Sequence, residues 1–126
     1  MTQIQKLPKE GYFLQICHSQ GAIMVRNALM MCPDWIRNKI RVVAIAPAAY
    51  IDDHLCKSVV HYVSQGDMVH KFDFEGRERN KHTTIELEKR DGANKWLDHE
   101  FSSPTFRESI SNEMFIYSEV IKTWKK

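Results

Sequence analysis

The sequence predicts an α/β domain, a mainly parallel sheet of about four strands with flanking helices. Three observations carry this. Three short apolar runs, rich in β-branched residues, read as buried strands. Helical or loop segments separate them, and the chain closes on a long amphipathic stretch. Apolar runs without strict alternation belong to parallel sheets covered on both faces. The length of 126 residues, with 43% hydrophobic and 27% charged residues, suits one globular domain over residues 1–126, and a chain of this size buries roughly two-thirds of its unfolded surface. That composition excludes a disordered tail, a collagen-like repeat and a disulfide-dense miniprotein. No apolar run approaches the ~20 residues that a bilayer span requires.

The elements follow in order. Residues 1–10 are polar and contain Pro8, which reads as a helix end or loop. After Gly11, Tyr12-Phe13-Leu14-Gln15-Ile16-Cys17 suits a buried strand. His18-Ser19-Gln20-Gly21 breaks it, and Ala22 to Met31 reads as a mostly buried helix ending before Pro33. Asp34 to Lys39 is a short connection to a second strand, Ile40 to Ala46, stopped by Pro47. Ala48 to Cys56 is a loop or short helix, and Ser58 to Ser64 is a third strand closed by Gln65-Gly66-Asp67. A polar loop runs to about Lys81. Thr83 to Glu88 alternates and reads as a fourth strand nearer an edge. Asp91-Gly92 marks a turn, and Trp96-Leu97-Asp98-His99-Glu100-Phe101 reads as loop. From Pro104 to Trp124 the spacing of Phe106, Ile110, Met114, Tyr117 and Ile121 predicts one amphipathic helix packed by that face.

Charge and cysteine usage narrow the function classes. The net charge is +2, and the basic clusters at Arg77–Lys81 and Lys125-Lys126 read as solvated surface. No basic stripe with interleaved aromatics marks a nucleic-acid binder. Cys17, Cys32 and Cys56 form no C-x-x-C pair, which points to buried thiols in a reducing compartment, cytoplasmic by default. The six histidines are scattered, so no metal site is expected. The stretch Met1 to Lys6 has no apolar signal core. A nucleotide-binding module is disfavoured, since neither G-x-G-x-x-G nor G-x-x-x-x-G-K-[ST] occurs.

The chemistry concentrates between Tyr12 and Met31. A serine between a strand and a helix sits on a sharp turn, whose neighbours must be small so that the hydroxyl lifts clear of the sheet. Cys17, Gly21 and Ala22 meet that need around Ser19. The helix that follows directs its first N–H groups toward the serine, and the N–H of Gln20 is a candidate oxyanion donor. Cys17-His18-Ser19-Gln20-Gly21 resembles the nucleophile elbow of the α/β-hydrolase fold, G-x-S-x-G, with Cys17 in place of the first glycine. The phrase His18 to Ile23 also looks like part of an uncharacterised chlamydial protein family with hydrolase-like C-terminal regions. The competing reading is a tight strand-to-helix turn with an inert serine.

The resemblance implies an acid and a base in the chain order Ser, acid, His. Asp67, after the third strand, resembles the acid loop; Asp52 or Asp53, after the second, is the rival, and a plain Asx-type turn is the structural alternative. His99 resembles the histidine loop, with His70 and His82 as rivals that fall early and a surface loop histidine as the bland alternative. Asp98 and Glu100 would favour the charged form of His99 if they lay close to its ring. His18 is read as packing the site rather than as the base. The implied enzyme is a serine hydrolase of esterase or lipase type. Ser19, Asp67 and His99 form its catalytic triad, Gln20 its oxyanion donor, and it needs no metal or organic cofactor.

The resemblance runs from Tyr12 to the last helix and matches only the second half of that fold. The expectation is therefore a truncated α/β-hydrolase-like domain lacking the N-terminal strands and the loop that donates a second oxyanion N–H. One missing donor costs ~10²–10³ in rate. A half-sheet also leaves an apolar edge exposed. Two functions follow. One is hydrolysis of an ester, thioester or amide of a small-molecule acyl substrate, with activity in this short form in question. The alternative is a non-catalytic interaction or assembly module derived from a hydrolase, its edge paired with a second copy or a complementing N-terminal segment.

Overall fold

A computed structural model describes residues 6–93 and 98–124. Trp96, Leu97, Lys125 and Lys126 lie outside them, as does the N-terminal stretch up to Gln5.

Four strands form one sheet: β1 (Phe13–His18), β2 (Ile40–Ile45), β3 (Ser58–Ser64) and β4 (Thr84–Leu87). They lie in the order β1-β2-β3-β4, and every pairing is parallel. Cys17 stands opposite Ala44, Ala44 opposite His61, and His61 opposite Thr84. All four strands therefore finish at the same edge of the sheet, and every segment that follows a strand starts there. β4 is an edge strand, as its alternation predicts, and β1 is the other.

Each face of the sheet has its own core. Helix α1 (Gly21–Met30) brings Ala22 and Leu29 onto Cys17, Val42, Ala44 and Val59. Helix α4 (Pro104–Lys122) brings Phe106 onto Val43, Ile45, Val60 and Tyr62 on the opposite face. Neighbouring β2 residues serve opposite faces, which is why the run Val42 to Ile45 is apolar throughout and wholly buried.

Four expectations needed revision. Helix α1 is buried only at Ala22 and Leu29 rather than over most of its length, and Met24, Met30 and Met31 are exposed. Asp34–Arg37 is a helical turn, α2, rather than a plain connection. The polar loop before Lys81 contains α3 (Phe74–Arg79), capped by Asp73, whose carboxylate accepts from Gly76 N at 3.1 Å and from Tyr50 N at 3.0 Å. Helix α4 starts at Pro104 as predicted and ends at Lys122, two residues before Trp124, and its inward stripe is partly shifted. Phe106 is buried and Ile110 and Tyr117 are half-buried, while Met114 is 55% and Ile121 42% exposed. Glu113 takes the inward position instead. Its carboxylate accepts from Arg41 at 3.1 and 3.2 Å and from the Tyr62 hydroxyl at 2.8 Å. Burial and this carboxylate together push the Tyr62 phenol pKa well up.

Candidate active site

Ser19 follows β1 directly and has φ +54°, in the left-handed region that side-chain-bearing residues rarely occupy. Such a conformation costs about 1–3 kcal/mol and persists only when its surroundings hold it. Here they do. Ser19 N donates to Ile45 O at 3.2 Å, and Ser19 O accepts from Ala22 N at 3.1 Å and Ala48 N at 3.0 Å. The turn is thus fastened to the end of β2, to the start of α1 and to the segment after Pro47. A side chain at Gly21 would meet only the Cys17 Cβ, at 3.9 Å, so a cysteine fits where the elbow pattern has glycine. Burial pushes the Cys17 thiol up to about 12, so this thiol stays protonated at neutral pH. Gln20 stands at the N-cap of α1, immediately after the serine.

Asp67 lies on the turn after β3 and is completely buried. Its N–H donates to Ser64 O at 3.1 Å, and one carboxylate oxygen accepts from Val69 N at 2.9 Å. The other oxygen meets His99 Nδ1 at 2.7 Å. His99 Nε2 lies 2.6 Å from Ser19 Oγ. A carboxylate only accepts, so the Asp67 contact assigns the imidazole proton to Nδ1 and leaves the Nε2 lone pair for the serine hydroxyl. Ser19, Asp67 and His99 are thereby brought into one relay at the carboxyl edge of the sheet.

The other sequence candidates are engaged elsewhere. Asp52 accepts from Asn80 Nδ2 at 2.8 Å and from Arg79 Nε at 3.3 Å. Asp53 pairs with His82 at 2.8 Å. His70 is buried with Nδ1 3.3 Å from the Tyr50 hydroxyl. Their side-chain partners are neither Ser19 nor His99.

Two residues act where sequence reasoning assigned something else or nothing. His18 Nε2 donates to the His99 carbonyl at 2.5 Å, and the two rings lie 5.0 Å apart. The residue before Ser19 thus holds the backbone of His99. Asp98 does not turn toward the His99 ring. Its buried carboxylate accepts from the Ser64 and Thr105 hydroxyls, each at 2.5 Å, and from the Ser103 hydroxyl. Burial pushes the Asp98 carboxyl up, but these three hydroxyls outweigh it, and the pKa lies below the ordinary value. Adjacency to His99 was the only signal at Asp98, and it suggested the wrong partner. Glu100 is exposed.

A cavity of about 700 Å³ is lined by Lys89, Arg90, Asp91, Pro104, Arg107 and Glu108, and none of Ser19, Asp67 and His99 borders it. It is an open groove away from the relay, so the hydrogen bonds rather than a concavity mark the candidate site. Among the described residues no group of three His, Cys, Asp or Glu side chains could hold a metal ion.

No curated protein and no solved structure matches the chain. A family profile described as "Protein of unknown function (DUF687)" matches residues 5–120. That span takes in all four strands, all three triad residues and most of α4, and the chain belongs to this family.

Proposed function

We propose that this chain is a serine hydrolase-like domain that acts on an ester, thioester or amide carbonyl through an acyl-enzyme. One observation carries the reading. Ser19 Oγ, His99 Nε2, His99 Nδ1 and Asp67 Oδ2 form a continuous relay with links of 2.6 and 2.7 Å, drawn from residues 80 and 32 positions apart. The C-x-S-x-G elbow, the left-handed Ser19 and the order Ser, Asp, His support it further, as features of the α/β-hydrolase pattern.

In the proposed reaction His99 Nε2 takes the Ser19 proton as Oγ attacks the carbonyl carbon. Asp67 holds the ring and stabilises the imidazolium. The Gln20 N–H donates to the oxyanion. The imidazolium then gives its proton to the leaving oxygen, sulfur or nitrogen, and an acyl-serine remains. Water, deprotonated by His99, attacks that ester and releases the acid and free Ser19. An oxyanion donor of this kind is worth ~10²–10³ in rate.

The test is labelling of the purified protein with a fluorophosphonate, beside a Ser19→Ala control. Labelling that disappears in the control is the expected result. Absence of label on folded protein overturns the reading and favours the second one, an interaction module. The specific observation behind that second reading is β1, an edge strand that pairs only with β2 among the described residues.

A further inference from the structure

We propose that Asp98 is a positioning residue that sets the distance between the acid turn and the histidine, and so aligns the relay. The inference rests on the hydrolase reading above and names a part of that site beyond the triad.

The argument starts from the hydroxyls around the Asp98 carboxylate. Each gives its proton to Asp98 and takes a backbone N–H in return. Ser64 Oγ accepts from Gly66 N at 3.1 Å, Thr105 Oγ1 from Arg90 N at 3.1 Å, and Ser103 Oγ from Thr105 N at 3.2 Å. One buried carboxylate therefore gathers three segments: the acid turn after β3, the segment after β4, and the first turn of α4. Asp98 N also donates to Gly66 O at 3.1 Å. The approach is so close that a side chain at Gly66 would come within 3.1 Å of Asp98 Cβ. Gly66 precedes Asp67, and Asp98 precedes His99. Locking 66 against 98 fixes where the next residue of each chain begins, and those residues meet at 2.7 Å.

A helix cap alone would need only Ser103, which already bonds Thr105 N. The Ser64 arm reaches the end of β3 and contributes nothing to capping. Ser64 therefore separates the two roles. Displacements of about 1 Å in such relays cost up to ~10²-fold in rate.

Two variants test this, Asp98→Asn and Ser64→Ala. The amide keeps the size of the carboxylate but turns an NH₂ toward hydroxyls that need an acceptor for their protons and whose oxygens already take a backbone N–H. Ser64→Ala removes the arm to the acid turn and leaves the α4 cap. Two readouts are taken on folded protein: the maximal rate of fluorophosphonate labelling at saturating probe, and the downfield proton resonance of His99 Nδ1–H. The expected result for both variants is a labelling rate about 10-fold to 100-fold lower, unchanged probe affinity, and loss or broadening of the resonance. Parent-like rate and resonance in folded Ser64→Ala overturn the proposal, even if Asp98→Asn fails to fold. If the parent itself does not label, the hydrolase reading fails, and the resonance alone decides for or against the alignment by Asp98.

Discussion

Ser19 and His18 divide the work of a single turn. The left-handed backbone at Ser19 presents the proposed nucleophile, and the His18 ring beside it donates to the His99 carbonyl at 2.5 Å. A carbonyl cannot donate, so His18 Nε2 carries its proton, and the contact constrains the base from the backbone side. His18→Ala is expected to leave the melting temperature within a few degrees of the parent and to slow Ser19 labelling about tenfold, since the base loses one of its restraints. Parent-like labelling would show that Asp67 and the Asp98 cluster suffice. The three residues of the relay could be picked out in the sequence because each sits on a local signal. Ser19 lies between an apolar run and a helix, Asp67 follows Gly66 at the end of a β-branched run, and His99 comes late, in the expected order. Asp98 was not legible. Its role depends on Ser64, Ser103 and Thr105, which converge only in the folded chain.

At the scale of elements, periodicity located the strands and helices well and the inward residues less well. The strand Ser58–Ser64 and the start of α4 at Pro104 match the sequence expectation, because β-branched enrichment and the Ser-Pro helix start act over a few residues. The inward stripe of α4 departs from expectation at Met114, because a hydrophobicity count passes over a glutamate. Arg41 from β2 and Tyr62 from β3 supply what the Glu113 carboxylate requires, and the helix turns to bury it. Removing Glu113 leaves a half-buried guanidinium and a buried phenol without their acceptor. Arg41 retains some access to water, so the cost is moderated. Glu113→Ala is expected to destabilise by about 2 kcal/mol. Met114→Lys, one residue on, is expected to stay within about 0.5 kcal/mol of the parent. Urea unfolding of the pair checks the phase of α4, and a larger loss at Met114 would reverse it.

For the whole molecule, an all-parallel sheet gathers its strand exits at one edge, and the price is a set of polar groups buried behind that edge. His61 is the clearest. It lies in the middle of β3, wholly buried, accepting from Ile51 N at 3.0 Å through Nε2 and facing the Thr83 hydroxyl at 3.1 Å through Nδ1. Desolvation lowers its pKa from 6.5 to about 4, against a smaller upward pull from the Thr83 contact. Burial lowers His70 as well. Between those two pH values the unfolded chain takes up a proton at His61 that the folded chain refuses. Stability is therefore full above pH 6.5 and declines as the pH falls toward 4, by at most about 3 kcal/mol from His61. Asp98 acts further down, since its folded pKa is depressed: its contribution is present above the ordinary carboxylate value and is lost as the pH falls through the lowered one. Two steps of acid destabilisation are expected, the histidine step first. His61→Gln, which carries no titrating proton, should flatten the slope of unfolding free energy against pH between 6.5 and 4 whatever its effect on stability at neutrality. Urea titrations at several pH values across that window check it. An unchanged slope in the variant would assign the loss to the carboxylates and would mean that the folded sheet accommodates a protonated His61.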